Sequence, residues 1–258
     1  MKTTFYKYQA TGNDFVVIDN RDRHFPKNDS KRISGLCHRR FGIGADGLIL
    51  LEEDPTADFR MVYFNADGHE GSMCGNGGRC AVAFAAFLGM VGESCRFVAA
   101  DGMHRAEFRG ELISLEMADV REIRAKAQYS FLNTGSPHHV QQVDDLDNLD
   151  VLNEGKRIRY GLYGKQGSNV NFVEPRGTDR LRVRTYERGV EDETYSCGTG
   201  VTASALALFE AGVLTRPVVH VETQGGNLEV RFTPDQPGQY ADIWLTGPAE
   251  MVFKGEWL

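Results

Sequence analysis

Two of the five cysteines, Cys74 and Cys197, stand in the same local sequence, Cys-Gly-x-Gly. The residues after each motif follow a helical pattern, over Arg79–Met90 and Val201–Ala211, so each cysteine is predicted to lie at the start of a helix. The first turn of a helix offers unpaired backbone N–H groups and a positive dipole end, which bind anions and favour a thiolate. The motifs therefore predict two ionisable thiols, each beside a place for a carboxylate.

Two thiols on opposite sides of one carbon atom could invert that carbon by proton transfer. A thiolate would remove a proton from one face while a thiol supplies a proton to the other, and the roles would exchange in the reverse reaction. The α-carbon of an amino acid is a weak acid, so the site must be dry and must direct N–H donors at the substrate carboxylate. The glycines after each cysteine leave the backbone amides open to such a carboxylate.

The two motifs belong to an internal repeat with an offset of 123 residues. This offset also places Thr11-Gly12-Asn13 on Thr134-Gly135-Ser136 and Gly89 on Gly212. Because the matches share one register close to half the chain length, we expect two similar halves, 1–122 and 123–258, with a last strand that can cross back to the first half. Halves related by an approximate two-fold axis would bring both helix starts to one cleft.

Short alternating or apolar runs predict strands around these helices. Four of them lie at residues 15–19, 48–52, 60–64 and 112–117. Gly89 and Gly212 are expected to end the two helices in the left-handed conformation. The predicted fold class is α/β (α+β), with strands dominant.

The composition excludes several classes of function. Lys and Arg number 29 against 36 Asp and Glu, a net charge of −7, so the basic footprint of a nucleic-acid-binding protein is missing. The longest apolar run, Ala81–Gly92, is far shorter than the roughly 20 residues of a membrane span. The N-terminal sequence lacks the pattern of a secretory signal. We expect a cytoplasmic protein that binds neither nucleic acid nor membrane.

The remaining cysteines fit structural roles. An odd number of cysteines without an export signal argues against a disulfide framework, and their spacing suggests no metal site. Cys37, Cys80 and Cys95 are therefore expected to pack in the core, as free cysteines commonly do.

The chain resembles the diaminopimelate epimerase family over nearly its whole length. The motifs that carry the resemblance are Thr11-Gly12-Asn13-Asp14-Phe15, Phe64-Asn65-Ala66-Asp67-Gly68, Met73-Cys74-Gly75-Asn76-Gly77, Gly135-Ser136-Pro137-His138, Ser168-Asn169-Val170, Tyr186-Glu187-Arg188-Gly189 and Ser196-Cys197-Gly198-Thr199-Gly200. The family interconverts L,L- and meso-diaminopimelate in bacterial lysine and cell-wall synthesis, without pyridoxal phosphate or another cofactor. The resemblance implies a homodimer of chains with two pseudo-symmetric domains, each a β-barrel-like sheet around a central helix.

The resemblance also implies roles for individual residues. Cys74 and Cys197 would be the acid/base thiols, and the amides of Gly75-Asn76 and Gly198-Thr199 would hold the carboxylate at the reacting carbon. His138 and Glu187 would lie near the substrate ammonium and the thiols and would tune protonation, and Glu187 would also bind the substrate. The distal amino-acid end of the substrate would be bound by Asn13, Asn65, Asn169 and Arg188.

Arg188 suits a distal carboxylate because a guanidinium group binds a carboxylate through two parallel hydrogen bonds. From the residues alone, the three asparagines also fit turns, and Glu187-Arg188 also fits a surface ion pair. Two positions depart from the family pattern on the substrate side. Gly47 follows Asp46 where some members have Gln, and Ser136 precedes Pro137 where Asn is expected.

Three alternatives are open at this point. A proline or hydroxyproline racemase would share the two-thiol mechanism, but its first Cys-Gly is typically followed by His, and Asn76 stands here. The phenazine-related isomerases resemble this fold without the two cysteines. A non-catalytic small-molecule binding protein would need Asn65, Asn169 and Arg188 but not both thiols.

Overall fold

The computed structural model describes residues 2–71 and 73–258, which fall into two compact units. Unit 1 comprises Met1–Leu115 and Gly247–Leu258, and unit 2 comprises Glu116–Thr246. Four helices and 17 strands occur within the described ranges, so the predicted mixed, strand-dominated fold class is confirmed. No helix in those ranges has both the length and the apolar composition needed to cross a membrane.

Unit 1 contains two helices and a sheet. Most of the paired strands in this sheet follow one another in the sequence. Its elements are β1 (Thr3–Ala10), β2 (Asn13–Asp19), α1 (Ser30–Cys37), β3 (Gly47–Glu52), β4 (Phe59–Asn65), α2 (Gly75–Phe87), β5 (Ser94–Ala99), β6 (Gly102–Arg109) and β7 (Leu112–Glu116). β2 pairs with β3 and β4 pairs with β5 in parallel, whereas the pairs β1–β2, β3–β4, β5–β6 and β6–β7 are antiparallel.

Unit 2 repeats this order of elements with small additions. Its elements are β8 (Ile123–Ala125), β9 (Ser130–Asn133), β10 (Pro137–Gln142), α3 (Val151–Tyr163), β11 (Asn169–Pro175), β12 (Arg180–Glu187), β13 (Asp192–Thr194), α4 (Gly198–Glu210), β14 (Val218–Thr223), β15 (Gly226–Pro234) and β16 (Tyr240–Gly247). The last strand, β17 (Glu250–Trp257), pairs with β1 in unit 1. As in unit 1, the strands flanking the first helix of the unit, β10 and β11, are parallel, and so are β12 and β14.

Successive side chains of a strand point to opposite faces, so the strands of each unit contact one helix on one face and another helix on the other. In β3, Leu48 and Leu50 pack with α1 in one apolar cluster, whereas Ile49 points towards Gly77 of α2. In β11, Val170 and Phe172 pack against α3, and the intervening Asn171 points towards α4. These strands are therefore buried on both faces, and the inner face is the one that meets the helix following each cysteine motif.

The helices after the cysteines begin earlier than predicted. α2 begins at Gly75 rather than Arg79, and α4 begins at Gly198 rather than Val201. The glycines form the first turn despite their low helix propensity, because the inner faces of the strands leave little room for side chains there. The predicted left-handed glycines are confirmed, since Gly89 and Gly212 both have φ of 71°.

The predicted strands and core cysteines are also found. The runs at 15–19, 48–52, 60–64 and 112–117 match β2, β3, β4 and β7, with ends that differ by one or two residues. Cys37, Cys80 and Cys95 are buried as expected.

Candidate active site

Cys74 lies directly before α2, as the sequence predicts. Its backbone is extended, with φ of −106° and ψ of 129°, and its side chain does not cap the helix. The thiol therefore does not occupy the helix N–H groups that a capping side chain would use, which is compatible with an anion at this helix start. Cys74 is partly exposed, whereas Gly75 and Asn76 are buried.

The Cys74 thiol contacts Asn13, which also contacts Asn76. The Asn13 Oδ1 atom accepts from Cys74 Sγ at 3.5 Å and from Asn76 Nδ2 at 3.4 Å. The Asn13 Nδ2 atom donates to Asp46 Oδ2 at 2.6 Å. Because a carboxylate can only accept, this bond fixes the Asn13 amide with its oxygen towards the thiol. The structure thus brings Asn13, Cys74 and Asn76 together.

Asn65 lies at the end of β4 and is exposed, without a described side-chain contact to Cys74. Its partner across the strand pair is Gly47, the position that departs from the family pattern. A Cβ atom added at Gly47 would lie 2.5 Å from Cε2 of Tyr63. The Tyr63 ring therefore occupies the space that a glutamine side chain at position 47 would enter.

Cys197 occupies the equivalent place before α4. Its backbone has φ of −117° and ψ of 108°, and again the side chain does not cap the helix. Cys197 is more buried than Cys74, with 9% of its surface exposed. Its Sγ atom lies 3.5 Å from the Thr199 hydroxyl oxygen.

A chain of buried polar side chains leads to Thr199. Thr185 donates to Asn171 Oδ1 at 3.0 Å, and Asn171 Nδ2 donates to His138 Nδ1 at 3.1 Å. The proton of the neutral imidazole is therefore on Nε2, which lies 2.9 Å from Thr199 Oγ1 and donates to it. The Thr199 hydroxyl can then donate its own proton to Cys197 Sγ.

His138 stays neutral in this chain. Burial, and secondarily the Arg188 guanidinium, lowers the pKa of His138 to about 3. The neutral His138 ring polarises the Thr199 hydroxyl through its hydrogen bond, but it carries no charge near pH 7. The predicted tuning residue is thus in contact with Thr199, and through it with Cys197.

Asn169 and Arg188 form a second group in unit 2. Asn169 Oδ1 accepts from the Arg188 backbone N–H at 2.8 Å, and the exposed Arg188 side chain donates to the Gln166 carbonyl at 3.0 Å. Arg188 also lines a surface cavity of about 490 Å³ with Pro137 and Gln166. Glu187 ends β12 and is partly exposed.

Sequence reasoning missed Arg79, Asn171 and Thr185. Arg79 is fully buried and donates to Asn76 Oδ1 at 2.9 Å. A single arginine at the head of an otherwise apolar helix was the available signal for Arg79. Asn171 stands between Val170 and Phe172, and Thr185 follows Leu181 and Val183 at alternate positions, so a polar residue in an apolar pattern could have marked both.

Solved structures with the same fold include isomerases and related proteins. A phenazine biosynthesis protein of the PhzF family from Bacillus anthracis has a TM-score of 0.80 at 15% identity, covering 100% of this chain and 99% of that one. A hydroxyproline epimerase from Agrobacterium vitis has a TM-score of 0.71 at 15% identity, covering 99% of this chain and 92% of that one. The fold and the paired cysteine motifs place this protein among the amino-acid isomerases of this duplicated α+β class.

The sequence comparisons identify the family within that class. The profile described as Diaminopimelate epimerase matches residues 5–121 and 130–252. The diaminopimelate epimerase of Flavobacterium psychrophilum is 54% identical over 251 residues, covering 96% of this chain and 98% of that protein. The chain belongs to the diaminopimelate epimerase family.

Proposed function

We propose that this protein interconverts L,L- and meso-diaminopimelate by proton transfer between two thiols, without a cofactor. One thiolate removes the α-proton, and the other thiol donates a proton to the opposite face of the resulting carbanion. The observation that carries the proposal is a cysteine immediately before the central helix of each unit, Cys74 before α2 and Cys197 before α4. The identity to named diaminopimelate epimerases supports the substrate assignment.

The two helix starts supply the electrostatic support that the carbanion needs. In this proposal the amides of Gly75-Asn76 and Gly198-Thr199 hold the carboxylate next to the reacting carbon, where negative charge grows during proton removal. Neither cysteine side chain caps its helix, which supports binding of the substrate carboxylate at these helix starts.

The distal amino-acid group is assigned to polar residues of both units: Asn13, Asn65, Asn169 and Arg188. The exposed Arg188 guanidinium supplies the positive charge for the distal carboxylate. The contact between Asn169 and the Arg188 backbone supports a joint role of these two residues. His138 and Glu187 are assigned to tuning protonation, and the contact between His138 and Thr199 supports that role for His138.

Incubation with L,L-diaminopimelate in deuterated water tests the proposal. We expect meso-diaminopimelate to form with deuterium at the inverted α-carbon, because the incoming proton comes from a thiol in exchange with solvent. A panel of single-centre amino acids, including proline and hydroxyproline, should stay unlabelled. Binding of diaminopimelate without deuterium incorporation would identify a binding protein, and labelling of proline would identify a racemase of different specificity.

We further propose that the protein is cytoplasmic, acts in lysine and peptidoglycan precursor synthesis and forms a homodimer. The negative net charge supports the expectation that it binds neither nucleic acid nor membrane. The division at residue 122/123 is likewise proposed as the trace of a gene duplication. The matching order of parallel and antiparallel strand pairs in units 1 and 2 supports a duplication.

A further inference from the structure

Arg79 is a buried cation close to a catalytic cysteine, with neutral hydrogen-bond partners only. Its side chain has no exposed surface, and it donates to Asn76 Oδ1 at 2.9 Å, to the Pro248 carbonyl at 3.3 Å and to Thr11 Oγ1 at 3.4 Å. Its Nη1 atom has no hydrogen-bond partner within residues 2–71 and 73–258. A buried charge without a counter-ion destabilises a fold, so its presence calls for a functional reason.

The nearest ion pairs do not supply the missing counter-charge. Lys7 Nζ lies 2.6 Å from Asp14 Oδ2, and Arg39 lies 2.7 Å from both Asp14 and Asp46. These two cations and two carboxylates balance one another. Burial opposes ionisation of Asp14, but hydrogen bonds and charge from Arg39 and Lys7 outweigh it and lower the pKa of Asp14, so this carboxylate is ionised at neutral pH. The charge of Arg79 is left uncompensated.

Arg79 acts electrostatically on two thiols, Cys80 and Cys74. Cys80 has no exposed surface, and burial raises its pKa far above the ordinary range, so it stays protonated. Tyr8, the other acidic group of this region, stays neutral because burial raises its pKa to about 12. Burial lowers the pKa of Arg79 to about 10, which leaves the guanidinium charged at pH 7. Cys74 is therefore the one of these groups that can become a thiolate beside Arg79.

The local hydrogen bonds alone would oppose that thiolate. Asn13 Oδ1 accepts from Cys74 Sγ, and such a bond exists only with the protonated thiol. Arg79 holds the Asn76 oxygen, which turns Asn76 Nδ2 towards the same Asn13 oxygen and keeps it in place. Besides the positive end of α2, a base at position 74 therefore gains from a further positive charge that offsets this hydrogen bond.

We propose that Arg79 is a positioning residue whose buried, unpaired charge allows Cys74 to ionise and act as a base. The inference rests on the proposed function, since it assigns the source of basicity to one of its two thiols. The favourable term is the attraction between the fully buried Arg79 guanidinium and a thiolate at the partly exposed Cys74, which is stronger than between two charges in bulk solvent. It exceeds the effect of one weak S–H···O bond at 3.5 Å.

Unit 2 shows why Cys197 needs no such cation. The residue equivalent to Arg79 at the repeat offset is Thr202, which is buried and donates to the Gly198 carbonyl at 3.0 Å. Cys197 instead lies beside the Thr199 hydroxyl, which accepts from His138 and so can donate to a thiolate. Cys197 therefore serves as a control for Cys74 within the same protein.

The test is the pH dependence of iodoacetamide alkylation at Cys74 and Cys197, read peptide by peptide by mass spectrometry on the full-length protein. Arg79→Gln removes the charge but keeps an amide that can donate to Asn76, whereas Arg79→Lys keeps a charge. The alkylation midpoint of Cys74 should rise by about one pH unit in Arg79→Gln, a roughly tenfold slower reaction at pH 7. Arg79→Lys should largely restore it. The Cys197 midpoint should not move in either variant or in Thr202→Val.

An unchanged Cys74 midpoint in Arg79→Gln, with Cys197 normal, would overturn the proposal and leave Arg79 a hydrogen-bonding role only. If neither variant folds, the unmodified protein still decides, because a Cys74 midpoint at or above the ordinary thiol value of about 8.5 would contradict it. Alkylation needs no substrate, so this result is independent of the deuterium experiment. Deuterium incorporation with an unshifted Cys74 midpoint would reject only the proposed role of Arg79. A shifted midpoint without deuterium incorporation would reject only the proposed function.

Discussion

Units 1 and 2 share their strand pairings but differ in the side chains that face the start of the central helix. In unit 1 the inner residues around Gly77 are apolar, namely Phe15, Ile49 and Met61. In unit 2 the inner residues leading to the start of α4 are polar, namely His138, Asn171 and Thr185. The fold thus depends on the alternation of inward-facing and outward-facing side chains along the strands and on the helix glycines. Both apolar and polar inward-facing residues are compatible with it.

The polar chain of Thr185, Asn171 and His138 in unit 2 is tolerated because its members are hydrogen-bonded to one another. Asn171 accepts from Thr185 and donates both to His138 and to the His139 carbonyl, the last at 2.9 Å. A fully paired buried network avoids the desolvation penalty that a single unpaired group would carry. Unit 1 instead places a fully buried charged side chain, Arg79, on the helix. The same scaffold therefore supports a thiol through a charge in one unit and through a neutral donor chain in the other.

Removal of either thiol should have the largest effect. We expect Cys74→Ala and Cys197→Ala each to lower kcat/KM for diaminopimelate epimerisation by about a thousandfold or more, because acid and base are both required. Cys95→Ala is the control, since Cys95 is buried in unit 1 and has no role in the mechanism. Circular dichroism should show folded protein in all three. Near-normal turnover in either catalytic variant would contradict the two-thiol mechanism and the functional equivalence of the units.

Much of this comparison could be predicted from the sequence, because repeats, strand alternation and helix ends leave local patterns. The offset of 123 residues and the Cys-Gly-x-Gly motifs predicted both helix starts, and Gly89 and Gly212 predicted both helix ends. The first turns, which begin at Gly75 and Gly198, were missed because glycine has low intrinsic helix propensity. Strand side chains close to Gly77 and Gly200 leave little room there for a larger residue.

The contacts within each site were less predictable, because they join residues distant in sequence. No local pattern connects Asn171 to His138, which are 33 residues apart, or Arg79 to Thr11, which are 68 apart. The Tyr63 ring over Gly47 is of the same kind. These pairs depend on strand register and on side-chain direction, which the sequence of one chain does not specify locally.

Alanine substitutions at the equivalent helix glycines, Gly77 and Gly200, should lower the free energy of unfolding by different amounts. At Gly200 an added Cβ would collide with the Asn171 side chain, which three hydrogen bonds hold in place, so Gly200→Ala should lower the free energy of unfolding by about 2 kcal/mol. At Gly77 the Cβ would lie 3.2 Å from the flexible Met61 methyl group. Gly77→Ala should therefore change stability by less than about 1 kcal/mol, since helix propensity offsets the contact. Urea unfolding of both variants measures this, and equal losses would contradict the contrast.

Mild acid should destabilise unit 2 before unit 1. Burial lowers the pKa of His138 to about 3, with a smaller effect of Arg188, and burial lowers that of His139 to about 4. In the unfolded state these histidines have a pKa near 6.5 and bind protons, whereas in the folded state they stay unprotonated. Stability is therefore lost as pH falls below about 6.5. The carboxylates of unit 1 whose pKa is lowered, Asp14, Asp19, Asp22 and Asp54, lose their contribution only below about pH 4.

From pH 7 to pH 6 the free energy of unfolding should fall by about 1 kcal/mol. Hydrogen exchange should accelerate in peptides of β10–β12 more than in those of β2–β4. His139→Gln should remove about half of the loss, because one of the two buried histidines then no longer titrates on unfolding. His220→Gln, at an exposed position of unit 2, should leave the loss unchanged. Equal acceleration in both sets of strands would mean that the polar interior of unit 2 does not set its response to acid.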